Sequence, residues 1–405
     1  MARLHSGLVC IGLTIGLTAC GIPSPDPSLW LANPADTCPG IDVSAAKADD
    51  LFVMSSSLPD CRDGEMTFTT FRSHRGPTFA QAELTGPEGE PAQSDRTRRF
   101  ADEDAWLRAI DAAVSAESGN AGMLAVYFHG YNNTYRDALE RGEGVRRSFQ
   151  FAVPTVVVSW PSRARGQSYL YDEASIGWAQ QFHSQMLVDL ARRASDITLV
   201  SHSMGGRTLI QSVLDLDARH PELARHVKRL VIVSPDVDRD RVLRDGGEID
   251  LLSTFGKPDT PVAERRDIVI YASSRDLPIR LSRYAHGYAR LGSTSCKYAV
   301  NYADRQIEDD RKTACHATHP REKVAIIDTS GTPGLDRDLL RHSDVFESCT
   351  GRADLRAFLA GERQMPWRSK VVLDDQRRAW RLVRDPRFED GDECIDWTPE
   401  LSAGD

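Results

Sequence analysis

Residues 197–207 read ITLVSHSMGGR. Ile197, Leu199 and Val200 make a short apolar run suited to a buried strand, and from Met204 onward Leu209, Ile210, Val213 and Leu214 recur at helical spacing. Ser203 therefore sits where a strand turns sharply into a helix. A cramped backbone at such a turn pushes a hydroxyl out of the sheet and presents it as a nucleophile. The usual pattern is G-x-S-x-G, and here Ser201 stands in place of the first glycine. A second small residue still suits a tight turn. The alternative is an ordinary serine beside two glycines, and the rest of the chain has to decide between them.

From about residue 100 onward, helical and strand-like stretches alternate, the pattern of a parallel sheet wrapped by helices. Strands are expected at 123–128, 155–159, 197–200, 229–233, 268–272 and 324–327, each a short run rich in valine and isoleucine. Helices are expected at 101–117, 137–149, 176–194, 204–219 and 352–359. In such a sheet, ligands bind beyond the carboxyl ends of the strands. The residues there are polar and specific: His129, Gly130, Tyr131, Asn132 and Asn133 after the first strand, Trp160 to Arg163 after the second, and His202 and Ser203 after the third. Asp236 follows the fourth, Asp276 the fifth and His342 the sixth. Serine, aspartate and histidine thus come in the chain order that an α/β-hydrolase arrangement requires.

The segments YFHGYNNT, VVSWPSR, LVSHSMGGR, VIVSPDVD and YASSRDLPIRLS resemble the bacterial α/β-hydrolase family of unknown function, DUF900, described as esterase/lipase-like. The likeness spans roughly residues 120 to 350. It implies an α/β-hydrolase fold, a mostly parallel central sheet flanked by helices, and a catalytic triad more firmly than it implies a substrate.

A serine hydroxyl needs a base to take its proton as it attacks an ester. His342 is the expected base, with Asp276 fixing its tautomer and stabilising the imidazolium. His286 is the rival base and Asp236 the rival acid, while Asp276 also reads as a helix cap before Leu277. The oxyanion calls for preorganised donors, expected from the backbone N–H groups of Met204 and Tyr131. His129, Gly130, Asn132, Trp160 and His202 are assigned to the substrate site, with His129 more suited to supporting its loop than to acting as base. Gly130 permits close backbone approach.

At the N-terminus, Met1, Ala2 and Arg3 lead into an apolar stretch from Leu8 to Leu17 that ends in LTAC, residues 17–20. This reads as a secretory signal over residues 1–19, and its ending resembles a lipobox, with Cys20 lipidated. Residues 20–100 are then a tether and cysteine-containing extension, 101–362 the hydrolase domain and 363–405 a C-terminal extension. Six further cysteines, Cys38, Cys61, Cys296, Cys315, Cys349 and Cys394, suit disulfides in an oxidising compartment. Proximity pairs Cys38 with Cys61 and Cys296 with Cys315, leaving Cys349 with Cys394. Zinc held by Cys315, His316 and His319 is the competing reading, and neither a metal nor another cofactor is expected. The net charge of −9, with both signs interspersed, argues against nucleic acid.

The functional expectation is a serine hydrolase of small-molecule or lipid carboxylic esters, tied to the bacterial envelope by its lipid anchor, with the outer membrane favoured. The alternative is a non-catalytic envelope or binding protein that retains the fold. An intact Ser203, Asp276 and His342 favours the enzyme.

Overall fold

The valine- and isoleucine-rich runs form the middle of one large sheet in the computed structural model, which describes residues 24–85, 93–116, 121–294, 322–332, 340–374, 377–391 and 393–402. In chain order the longer strands among the described residues are β1 (Leu51–Ser55), β2 (Ser57–Asp60), β3 (Thr67–Arg72), β4 (Thr78–Thr85), β5 (Gln93–Arg99), β6 (Met123–Phe128), β7 (Thr155–Ser159), β8 (Asp196–His202), β9 (Val227–Val233), β10 (Asp267–Ala272), β11 (Val324–Asp328), β12 (Arg368–Asp374) and β13 (Arg377–Leu382). Among the described residues the main sheet runs β12-β13-β11-β10-β9-β8-β6-β7-β1-β4-β5. Pairing is parallel from β13 through to β1 and antiparallel only at the two margins. Every strand expected between 123 and 327 is present.

Helices cover both faces. Among the described residues they include α1 (Pro27–Leu31), α2 (Pro34–Thr37), α3 (Glu103–Ala116), α4 (Tyr135–Arg147), α5 (Tyr169–Ala191), α6 (Gly205–Arg219), α7 (Arg239–Leu243), α8 (Glu248–Thr254), α9 (Leu277–His286), α10 (Asp344–Glu347) and α11 (Cys349–Leu359). Alternation along β6 shows how the sheet feeds two cores at once. Leu124, Val126 and Phe128 pack with α3, α5 and α6, whereas Ala125 and Tyr127 face α4 and α11. With both faces covered, a central strand has no polar side to show. Its sequence is a continuous apolar run.

The sheet does not stop at the boundaries suggested near residues 101 and 362. β1, β4 and β5 from the N-terminal extension add to one margin, and β12 and β13 from the C-terminal extension to the other. Leu51 to Met54 are at most 1% exposed, and burial of each such side chain stabilises by about 2 kcal/mol. The extension is therefore structural and not a plain tether. Disulfides Cys38–Cys61 and Cys349–Cys394 fasten the added pieces, as proximity predicts. Cys20, Cys296, Cys315, His316 and His319 lie outside the described residues.

Candidate active site

The turn after β8 has the strain its sequence suggests. Ser203 adopts φ +52, a left-handed conformation that a non-glycine residue holds only at a cost of about 1–3 kcal/mol. Neighbouring backbone holds it there. Its N–H donates to the Val233 carbonyl at 2.9 Å, and its carbonyl accepts from Gly206 and Asp236, both at 3.1 Å. A Cβ on Gly205 would lie 2.5 Å from the Phe128 carbonyl oxygen and 2.6 Å from that of His129. Glycine at 205 is thus a steric requirement. At 201 the departure from the usual pattern is accommodated, since Ser201 is simply a buried residue of β8 paired with Phe128 and Ile232.

His342 and Asp276 meet at this end of the sheet from well-separated loops. The Asp276 carboxylate, with no exposed surface, lies 2.8 and 2.9 Å from Nδ1 of His342. The same carboxylate caps α9, accepting the Ile279 N–H at 2.9 Å. Asp276 is thus both the cap of α9 and the partner of His342 Nδ1. The His342 ring packs on His202, the residue before Ser203, with centroids 4.6 Å apart. Nε2 of His202 bonds the His342 carbonyl at 3.1 Å, and since a carbonyl only accepts, that nitrogen carries the proton. Burial, followed by the neighbouring His342 charge, holds the His202 pKa well below the usual value. His202 is a neutral support for the histidine loop.

The loop after β6 approaches Ser203 closely. A Cβ on Gly130 would stand 2.8 Å from Cβ of Ser203 and 2.9 Å from Nδ1 of His202, so only glycine lets the backbone leading to Tyr131 pass. Met204, as the residue before α6, has an amide in the first turn, where helix N–H groups lack partners within the helix. His129 is buried and stacked on Trp160, rings 4 degrees from parallel. Its Nδ1 donates to the Gly130 carbonyl, Nε2 accepts from the Trp160 N–H, and the Trp160 indole donates to the His129 carbonyl. Burial pushes the His129 pKa down to about 4. His129 and Trp160, both assigned to the substrate site, are buried and hold the loop from within, and for His129 loop support is also what the sequence suggests. Asn132, at φ +60, donates its N–H to Asp172.

Asp172 is a residue that sequence reasoning misses. Buried on α5, it also accepts from the Ser162 hydroxyl at 2.6 Å and the Arg163 N–H at 2.9 Å, tying together the loops after β6 and β7. A lone aspartate within YLYDEAS gives no sign of those partners.

The rival base and acid belong to a separate polar cluster. Asp236 accepts from Arg290 at 2.7 Å, Ser282 at 2.5 Å, Arg207 at 3.2 Å and Tyr169. Burial alone would raise its pKa, but the Arg290 and Arg207 charges hold it at about 2. His286 turns to Glu173 at 3.1 Å and to the Ser282 carbonyl at 2.9 Å. This cluster clamps α9 to α5 beside the elbow.

A polar cleft of about 670 Å³ opens beside His202 and the residue after His342, lined among others by Asn133, Arg141, His202, Ser343, Phe346 and Glu347. Arg141 pairs with Glu347 at 3.0 Å and lies over the Phe346 ring. Among the described residues no group of three or more potential ligands is arranged to hold a metal ion.

The family model described as alpha/beta hydrolase of unknown function (DUF900) matches residues 105–310. The chain belongs to this family. Among solved structures it is similar to a Pyrobaculum calidifontis esterase, at 11% identity over 71% of this chain and 81% of that one, TM-score 0.29. It is also similar to carboxyl esterase 2 of Tuber melanosporum, at 16% identity over 59% and 77%, TM-score 0.27. Aspergillus fumigatus lipase B follows at 14% identity over 69% and 62%, TM-score 0.30. No curated protein matches the chain.

Proposed function

We propose that this protein is a serine hydrolase of carboxylic esters. The observation that carries the reading is the buried Asp276 carboxylate on Nδ1 of His342, whose ring packs beside the strained turn bearing Ser203. Asp276 keeps the Nδ1 proton in place and so reserves Nε2 for accepting one. Ser203 Oγ attacks the ester carbonyl carbon as its proton passes to Nε2. The tetrahedral oxyanion is met by the amides of Met204 and Tyr131, donors worth about 3 to 4 kcal/mol each when lost. Collapse expels the alcohol, which takes the proton from His342. Water then attacks the acyl-enzyme by the same route in reverse.

Covalent labelling by a fluorophosphonate probe tests this. Labelling of the wild type and its loss in Ser203→Ala is expected, together with turnover of a p-nitrophenyl ester. A wild type that neither labels nor turns over leaves the non-catalytic envelope protein as the reading. Export and lipidation of Cys20 belong to the same proposal, supported by the LTAC ending of the apolar stretch. The mature protein is expected in the membrane fraction and Cys20→Ala outside it, because the several acyl chains of a lipoprotein anchor stably where one does not.

A further inference from the structure

α9 follows its cap Asp276 beyond the carboxyl end of β10, its inner face held by Ile279, Ser282 and Arg283. Among the described residues its outer face carries exposed apolar side chains: Leu277, Leu281 and Tyr284 follow each other at helical spacing and are 38%, 59% and 59% exposed, and Tyr288, just past the helix end at Gly287, is 61% exposed. Leu340 extends the patch: its carbonyl takes the Leu277 N–H, and it stands two residues before His342. Single exposed apolar residues are ordinary, but a contiguous patch marks a contact surface.

Charge says what kind of surface. The chain as a whole carries −9, yet residues 275–290 contain four arginines against the single acid Asp276, which is buried on His342. Arg283 and Arg290 are buried, while Arg275 and Arg280 are exposed among the leucines and tyrosines. Leucine with tyrosine, flanked by arginine and free of exposed acids, is the composition of a helix lying in a membrane interface.

The path of the N-terminus points the same way. The described chain starts at Ser24, and α1 packs on β2, the strand of the β2–β3 hairpin that runs on beyond the carboxyl end of β1. Asp26 pairs with Arg62 of that hairpin, and the hairpin touches α5 through Tyr171 and the Thr70 carbonyl. Only a few residues separate Cys20 from this end of the sheet.

We infer that the outer face of α9 docks on an anionic lipid surface, so that the Ser203 site opens toward the bilayer and takes ester lipids from it. The substrate part of this inference rests on the proposed hydrolase reading; the docking does not. The test uses the lipid-free chain from Gly21 onward, which contains every described residue. It is expected to sediment with vesicles of phosphatidylglycerol and phosphatidylethanolamine and not with pure phosphatidylcholine. Leu281→Asp should weaken that binding by at least about tenfold, and Arg280→Glu should weaken it on the anionic vesicles. Both should hydrolyse a soluble p-nitrophenyl ester like the wild type, which shows them folded. Ser203→Ala should bind vesicles normally, so loss of catalysis and loss of docking are read separately. Absence of vesicle binding by the wild type, or equal binding by Leu281→Asp, overturns the inference. So does self-association without vesicle binding that Leu281→Asp abolishes, which assigns the face to a second copy.

Discussion

Asp276→Asn separates the two jobs that one carboxylate performs. Oδ1 accepts the Ile279 N–H at 2.9 Å as a helix cap, and the two oxygens lie 2.8 and 2.9 Å from Nδ1 of His342. Asparagine is as good a cap as aspartate, so the α9 N-terminus keeps its bond. Toward His342, however, the amide can present its NH2 and so favour the tautomer with the proton on Nε2, the wrong one for taking a proton from serine. The negative charge that would stabilise an imidazolium is also gone. Turnover is expected to fall by about 10⁴, the size seen when such an orienting aspartate is replaced by its amide, with little change in melting temperature. Asp276→Ala removes the cap as well and should cost about 1 kcal/mol more in stability. Ester turnover, the rate of fluorophosphonate labelling and thermal unfolding, measured on all three proteins, read the two jobs apart. Near-normal turnover in Asp276→Asn would refute the reasoning and leave Asp276 a helix cap alone.

Four further outcomes follow from the geometry. His342→Ala should abolish most labelling of Ser203, whereas His286→Ala, which removes a partner of Glu173 and Ser282, should leave labelling largely intact; the reverse result would move the base. Gly205→Ala, whose new methyl would meet two backbone carbonyls, should destabilise by about 1–3 kcal/mol in denaturant titration, and an unchanged midpoint would contradict the packing. Because the His129 pKa falls to about 4 from an unfolded value near 6.5, the unfolded chain takes up the proton first. Stability should therefore decline as pH drops from about 6.5 through 4, by about 3 kcal/mol for this residue, and His129→Gln should flatten that slope. A chain beginning at residue 101 lacks β1, β4 and β5, leaves β7 an uncovered edge and should aggregate on expression; a soluble, labelling-competent product would show the extension to be dispensable.

How much of this is legible in the sequence depends on how locally each feature is determined. The strands between 123 and 327 are buried on both faces, so each announces itself as an apolar run, and the turn at Ser203 is fixed by contacts that glycine alone permits at 130 and 205. β1, with LFVMS, has the same character but lies beyond a proline- and cysteine-containing stretch that reads as a tether. β12 and β13, RSKVVLD and RRAWRL, mix charge with apolar residues as sheet margins do, and show no clear period. The role of Asp172 is hidden for a different reason. It is decided by partners from another loop, Ser162 and Arg163, and spacing along the chain carries no record of them.

The choice between two aspartates that follow adjacent strands shows why environment decides where sequence order does not. Asp236 and Asp276 are both buried and both close to the elbow, and Asp236 even bonds the Ser203 carbonyl through its own N–H. Yet Asp236 faces the guanidinium groups of Arg290 and Arg207, so its charge is already neutralised, and an imidazolium forming nearby would gain little from it. Asp276 spends its bonds on one backbone N–H and on His342, so its charge remains directed at that ring. In a water-poor setting a charge so placed acts at a low effective dielectric. The same reasoning explains why two acids can sit so near one serine without competing: the arginines that hold Asp236 ionised also commit it to joining α9 with α5. The rigidity of α9 that results keeps Asp276, at its first turn, in register with His342.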